Sequence, residues 1–168
     1  TISGVTFLIC DIRSMPLSVI ERDDFVFVVH QSLCGPGNQK RRMKSASRLY
    51  AVQALFQMEA SKLPIDVVSK EFEEHRMGVE LDGVQLADGD IAHFNQVIAG
   101  AVNNQARIDQ MTDRALVAKW PIARLDPTLR ALFRAAGAEF VEGDTPPKVA
   151  IVEYVDVALA FSPDGKER

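Results

Sequence analysis

Several features that mark particular protein classes are absent from this sequence or rare in it. It has only two cysteines, Cys10 and Cys34, too few for the disulfide framework of a small secreted domain. No apolar run approaches the roughly 20 residues that cross a bilayer, and Val5–Cys10 is too short for the core of a signal peptide. A glycine-rich phosphate loop and a nucleophile elbow are also missing. The sequence therefore predicts a cytoplasmic protein that is not an enzyme.

Residues capable of metal or acid–base chemistry are scattered along the chain. His30 and Cys34 are spaced like a metal-binding pair on a helix, but residues 35–37 (Gly-Pro-Gly) argue against a helix there. The acidic residues between positions 71 and 74 lie in a polar stretch, where solvated surface explains them better than catalysis. We therefore predict neither a metal site nor a cofactor.

Basic residues are concentrated in one place. The net charge is −4, so attraction to nucleic acid must come from a local cluster rather than from the whole molecule. Five basic residues fall within a nine-residue stretch: Lys40, Arg41, Arg42, Lys44 and Arg48. Such a cluster can neutralise phosphates and release their counterions. A solvated charge run gives the same pattern, and on composition alone it is the simpler interpretation.

The chain changes character near Met43. Before it, Val5–Cys10 and Phe25–His30 have the composition of short strands, but a two-stranded piece alone is marginal in water. We expect residues 1–42 to form a poorly ordered or weakly strand-forming extension, or to be upstream sequence that is not native. Met43 would be a natural start.

After Met43 the apolar residues recur at helical spacing, which predicts an all-α bundle. The predicted apolar faces are Leu49-Val52-Leu55-Phe56, Ile65-Val68-Phe72, Ile91-Phe94-Ile98-Ala101-Val102, Ile108-Met111-Ala115-Leu116, Leu129-Leu132-Phe133-Ala136-Phe140 and Ile151-Val155-Leu159. The last segment is rich in β-branched residues and would also suit a strand, but its four-residue repeat favours a helix.

Three positions predict where helices begin and end. Asp90 and Asp126 can cap helix starts, and Pro127 fits a first helical turn. Gly143 suits a helix end. For Trp120, beside Pro121 at a helix junction, core packing is the favoured role over a stacking platform for a base.

Four segments, taken together, carry a resemblance to a known family. They are residues 47–59 (SRLYAVQALFQME), 94–109, 120–140 and 146–158 (PPKVAIVEYVDVA). Their residues, order and spacing resemble the NusB family of bacterial transcription antitermination factors over about residues 44–161. The resemblance implies a compact all-helical bundle that binds the single-stranded boxA element of ribosomal RNA transcripts. It also implies pairing with the ribosomal protein NusE and action on RNA polymerase.

The resemblance also proposes RNA contacts. The family's basic arm and first helix match Lys44, Arg48 and Gln53, and Arg41 and Arg42 could extend the arm. Tyr50 lies close to Arg48 in sequence and is a further candidate. The predicted RNA-binding residues are therefore Arg41, Arg42, Lys44, Arg48, Tyr50 and Gln53.

The sequence departs from the family pattern in three ways. The arm has fewer arginines than is usual, and Val152 replaces a usual Asn. The family continues with a further helix where this sequence ends in residues 162–168. We therefore expect the domain at 44–168 to be truncated, with apolar surface exposed.

Two other hypotheses remain open at this stage. The same helical domain resembles the RNA-binding part of some ribosomal RNA cytosine methyltransferases, which would make the chain a fragment of an enzyme. Alternatively, it is a helical protein-interaction module without RNA binding, which the acidic net charge favours mildly. Some family members self-associate, so a homodimer is a further expectation.

Overall fold

The computed structural model describes residues 39–81, 84–116 and 120–161. Within these ranges the chain forms six α-helices, one short hairpin and one 3-10 turn. In chain order they are α1 (Gln39–Ser61), α2 (Ile65–His75), β1 (Glu80–Leu81), β2 (Val84–Gln85), α3 (Ile91–Asn103), α4 (Gln105–Ala115), the 3-10 turn (Ile122–Arg124), α5 (Pro127–Glu142) and α6 (Pro147–Phe161). The predicted all-α class is confirmed, and the ambiguous last segment is a helix.

The first helix begins earlier than the sequence suggested. Gln39 is its first residue, four positions before Met43, so Lys40, Arg41 and Arg42 are helical rather than part of an arm. The predicted domain boundary at 44 therefore cuts through α1. The expectations for the two strand-like runs, and for His30 and Cys34, lie outside the described residues.

The predicted helix boundaries at three positions are confirmed. The Asp90 carboxylate accepts a hydrogen bond from the His93 backbone at the start of α3, and Asp126 accepts one from Thr128 at the start of α5. Gly143 ends α5 in the left-handed region, with φ of 77°. Each of these side chains or conformations satisfies backbone groups that a helix end leaves without a partner.

The loop between α2 and α3 contains a hairpin that the sequence did not indicate. β1 and β2 pair antiparallel, with Glu80 opposite Gln85. Backbone bonds from Gly78 to Ala87 and from Leu86 to Val79 continue the pairing outward. The hairpin thus provides partners for loop amides and carbonyls.

Helix α1 lies at the centre of the bundle and packs against α2, α3, α5 and α6. Every residue from Ala46 to Gln57 except Gln53 is buried, so this stretch is enclosed on nearly all sides rather than amphipathic. Beside it, the Phe72 ring stacks on Phe94 at 5.8 Å and meets Tyr50 edge-on at 6.2 Å. These aromatic contacts join α1, α2 and α3 into one core.

The helical period of the last two helices was predicted correctly. The predicted buried face is right in part for α5, where Leu132 and Ala136 are buried, and wrong for α6. Leu129 and Phe140 of α5, and the whole Ile151-Val155-Leu159 repeat of α6, are exposed. The buried face of α5 is made mostly of alanines, and that of α6 is Ala150, Glu153, Tyr154 and Val157. Small residues let the helices approach closely, and the larger apolar side chains then remain outside.

Trp120 lies on the surface of the protein. Its side chain is 60% exposed, so the favoured prediction that it packs in the core is wrong. It lies outside the helices, where the chain enters the 3-10 turn.

In the three described ranges, no helix combines the length and apolar character needed to span a membrane.

Gly137 of α5 lies against Ile108 of α4 at a close crossing of the two helices. A Cβ at this position would lie 2.3 Å from Cγ2 of Ile108, a core side chain. Real Cβ atoms do not approach this closely, so only glycine fits without a shift of the helices.

We expect Gly137→Ala to lower the free energy of unfolding. Overpacking costs about 1–3 kcal/mol, more than the gain in helix propensity of at most about 1 kcal/mol. Gly100→Ala is the control, because the nearest atom to its added Cβ is the carboxylate end of the exposed Glu142 side chain, 2.4 Å away. Urea unfolding measures both, and equal stability of the two variants would contradict the close crossing.

Candidate nucleic-acid interface

Positive charge is concentrated on the first turns of α1. Lys40, Arg41 and Arg42 are exposed, and Lys44 is partly exposed. The first turn of this helix carries no acidic residue. The N-terminal end of a helix also has a positive partial charge from its aligned peptide dipoles. Side chains and backbone therefore add to the same positive potential at this end of the molecule.

Arg48 belongs to the same cluster in sequence but lies inside the protein. It is 3% exposed. Its Nε donates to Oε1 of Glu139 at 2.8 Å and its Nη2 donates to Oε2 at 2.9 Å. This two-pronged, charge-assisted pair is the strongest geometry available to an arginine and a carboxylate, and it joins α1 to α5.

The Glu139 carboxylate also receives groups from two other helices. The Tyr154 hydroxyl on α6 donates to Oε1 at 3.0 Å. Nε2 of the buried His93 on α3 lies 3.4 Å from the same oxygen, close enough for an electrostatic contact, although this nitrogen makes no well-formed hydrogen bond. The Glu139 carboxylate on α5 is thus contacted by side chains from α1, α3 and α6.

The environment of Glu139 favours its ionised form. Burial is the largest single influence and would raise its pKa, but the contacts of His93, Arg48 and Thr145, with the charge of Arg48, outweigh it. The pKa of Glu139 is therefore held far below its usual range. The pKa of the Tyr154 hydroxyl is raised well above its usual range, first by burial and then by the Glu139 charge.

A second buried carboxylate, Glu153 on α6, faces the start of α1. The Ser45 hydroxyl donates a hydrogen bond to Glu153 Oε2. Nη1 of Arg48 lies 3.6 Å from the same oxygen, and Nη2 of Arg41 lies 3.6 Å from Oε1. Glu153 therefore connects α6 to three residues in the N-terminal half of α1.

The predicted RNA-binding residues consequently fall into two groups. Arg41, Arg42 and Lys44 lie on the first turns of α1 with solvent access, and Gln53 is partly buried further along. Arg48 and Tyr50 are core residues, and the Tyr50 hydroxyl donates to the Ala87 carbonyl at 2.8 Å. Both side chains are buried, at 3% and 7% exposure, which favours a supporting role for them over direct contact with RNA.

Two other arginines are already neutralised by neighbouring acids. Nη2 of Arg130 lies 2.7 Å from Glu59, and Nη2 of Arg134 lies 2.9 Å from Asp109. These pairs brace α5 against α1 and α4. Positive charge from these two arginines of α5 is therefore balanced locally.

Sequence reasoning missed Glu139, Glu153 and His93. The usable signal was a lone acid within an otherwise apolar helical stretch, as Glu139 is between Ala138 and Phe140. A charge at such a position is buried only when it is paired. Across the described ranges, no group of three or more His, Cys, Asp or Glu residues is arranged to hold a metal ion.

We expect Glu139→Ala to be strongly destabilising, because it leaves the Arg48 charge buried without its partner. The loss in free energy of unfolding at neutral pH should be about 3 kcal/mol or more. Because the pKa of Glu139 is lower in the folded than in the unfolded protein, its contribution is present above the ordinary carboxyl pKa and fades as the pH falls toward the folded value. Between pH 7 and pH 3, the variant's stability should therefore decline less steeply than the parent's.

Glu142→Ala, an exposed acid on the same helix, is the matched control and should change stability by less than about 0.5 kcal/mol. Urea unfolding across the pH series distinguishes the two variants. A Glu139→Ala protein as stable as the Glu142→Ala control would contradict the structural role of the buried pair.

Comparisons with known proteins agree with this architecture. Residues 45–168 match the family model described as the NusB family. The transcription antitermination protein NusB of Rhodopseudomonas palustris (strain BisB18) is 42% identical over 126 residues, covering 74% of this chain and 75% of that protein. The protein of the same name from Nitrobacter hamburgensis is 44% identical over 125 residues, covering 74% and 78%. That of Brucella abortus (strain S19) is 44% identical over 119 residues, covering 70% of each. The chain belongs to the NusB family.

Proposed function

We propose that this chain is a transcription antitermination factor that binds the boxA element of ribosomal RNA transcripts as a single strand. The observation that carries the proposal is the basic start of α1, formed by Lys40, Arg41, Arg42 and Lys44 on a molecule of net charge −4. The name shared by its relatives, transcription antitermination protein, supports the same role.

The chemistry of the helix start suits an RNA backbone. Lysine and arginine side chains neutralise phosphates and release bound counterions, which makes binding depend on salt concentration. Arginine can also stack on an unpaired base or fork onto its edge, as single-stranded RNA allows. Arg41 and Arg42 could supply both kinds of contact, while Lys44 supplies charge. Gln53 would add a polar contact further along the helix.

Arg48, inside the bundle, helps to hold the basic start of α1 in place. Its pair with Glu139 fixes α1 against α5, and its other terminal nitrogen lies near Glu153 on α6. Tyr50 anchors the same helix on the opposite side, through Ala87 and the Phe72 ring. The direct contacts are therefore proposed for the exposed basic residues, and Arg48 and Tyr50 hold the helix that presents them.

The proposed partners follow from the same role. They are the boxA RNA, the ribosomal protein NusE and RNA polymerase, and the protein would act in the cytoplasm without catalysing a reaction. Self-association to a homodimer stays a prediction that no contact within a single chain tests.

The relatives bear on the alternative of an RNA methyltransferase fragment. The matches cover 70–78% of proteins that carry the antitermination name, so the chain spans most of a relative of this kind. The other alternative, a protein-interaction module without RNA binding, is separated from the proposed function by measuring whether the protein binds RNA.

The test is binding of the protein to a fluorescent RNA oligonucleotide carrying a boxA sequence, measured by anisotropy across a salt titration. The double variant Arg42→Ala/Lys44→Ala should weaken binding roughly tenfold and lower the salt slope by about 0.7 for each lost phosphate contact. The salt slope falls because each lysine or arginine that neutralises a phosphate releases counterions from the RNA.

Lys70→Ala is the control, since Lys70 is an exposed lysine on α2, outside the basic start of α1. It should leave affinity and slope unchanged. Equal binding by the parent and the double variant, or equal binding of boxA and a scrambled oligonucleotide of the same composition, would contradict the proposal.

A further inference from the structure

Glu153 is a buried acid beside the basic start of α1. It lies on the buried face of α6 and is 8% exposed. Its carboxylate is shared by three groups of α1: the Ser45 hydroxyl, the Arg48 guanidinium and the Arg41 guanidinium. These residues lie on the first three turns of the helix, along the side that faces α6.

The three contacts differ in what they contribute. The Arg41 side chain is 73% exposed, and an ion pair that solvent reaches so freely contributes little to stability. Ser45 and Arg48 hold the carboxylate in a buried position, where a charge needs such partners. The carboxylate is therefore a fixed point that orients Arg41, rather than being oriented by it.

Arg41 remains accessible to solvent in this arrangement. Its side chain is 73% exposed, and the atom nearest to Glu153 is Nη2. A guanidinium has five N–H groups, so an arginine with one acidic neighbour can still donate to a phosphate. A fixed, partly satisfied arginine loses less conformational entropy on binding an anion than a freely moving one.

We propose that Glu153 is a positioning residue for RNA binding: it fixes the first turns of α1 on α6 and presents Arg41 to a phosphate of the RNA backbone. This inference rests on the proposed function. An acidic residue would then favour the binding of a polyanion. An argument from net charge alone predicts the reverse, because an acid repels phosphate.

Charge counting and positioning predict opposite results for the loss of this acid. Removing a negative charge beside the basic cluster should strengthen the attraction for RNA if only net charge matters. If Glu153 positions Arg41, Glu153→Gln should weaken binding instead. The sign of the change therefore separates the two explanations.

Asp156 provides a matched control on the same helix. It is also electrostatically close to Arg41: burial and the charge of Glu153 raise its pKa, and the charge of Arg41 lowers it. Asp156→Asn removes one negative charge from the same neighbourhood but leaves the contacts of Glu153 in place. It should bind RNA as tightly as the parent protein or more tightly.

The experiment measures boxA oligonucleotide binding across a salt titration for the full chain and for Glu153→Gln, Asp156→Asn, Arg41→Ala and the double variant Glu153→Gln/Arg41→Ala. Glu153→Gln should bind about three- to tenfold more weakly, with a salt slope lower by about 0.7, because one phosphate contact is lost. Arg41→Ala should show a similar loss. The double variant should lose less affinity than the sum of the two single losses, since the two residues share one contact.

Amide hydrogen exchange of residues 43–46 provides a readout that does not involve RNA. In Glu153→Gln these amides should exchange about tenfold faster than in Asp156→Asn, as expected for loss of a hydrogen bond to a charged group. Unchanged exchange would overturn the positioning role, and so would Glu153→Gln binding RNA as tightly as Asp156→Asn. If the parent protein does not bind RNA, the proposed function fails, and the exchange rates then decide alone whether Glu153 orders the helix.

Discussion

The rest of this structure depends on the buried ion pair between Arg48 and Glu139. It lies where α1, α3, α5 and α6 meet, and the same carboxylate also receives Tyr154 and approaches His93. Moving two charges out of water carries a large desolvation cost, and a buried pair often contributes less stability than apolar residues of the same size. Its geometric demands are strict, however, because two N–H groups of Arg48 must each donate to a different oxygen of the Glu139 carboxylate. The pair therefore fixes the rotation and the height of α1 relative to α5.

That constraint divides the basic residues between the interior and the surface. Arg48 is paired with a carboxylate inside the bundle, whereas Arg41 and Arg42 lie near the start of the same helix with solvent access. Since α1 is enclosed by its neighbours from Ala46 to Gln57, its first turns extend from a well-packed segment. An RNA-binding surface built on such a segment differs from a mobile charged arm, because the spacing of its charges is set before RNA arrives. The central position of α1 and the proposed function are linked in this way.

Much of the helical architecture was predictable from local patterns. Asp90 and Asp126 begin helices and Gly143 ends one, for reasons of backbone chemistry that operate within a few residues, and these predictions are confirmed. The choice of buried face in α6 was not predictable in the same way. Its four-residue repeat of large apolar residues is exposed, while Glu153 and Tyr154 are inside. Burial in α6 is decided by packing partners on α1 and α5 that are distant in sequence. A lone acid in an apolar stretch suggests a buried ion pair, but it does not show which arginine is the partner. Within the basic cluster, spacing likewise could not show which side chains reach solvent, because this depends on where α5 and α6 pack.

The most direct test of the central claim, that Arg48 serves from inside while its neighbours face the RNA, is an NMR titration of the arginine side-chain Nε–H groups with a boxA oligonucleotide. The Arg48 resonance should keep its position and its slow hydrogen exchange at saturating RNA, since its bond to Glu139 persists. The Arg41 and Arg42 resonances should shift in proportion to the bound fraction. Loss of the Arg48 protection, or a shift at Arg48 as large as those of the exposed arginines, would show that RNA draws Arg48 out of the core and would contradict the account.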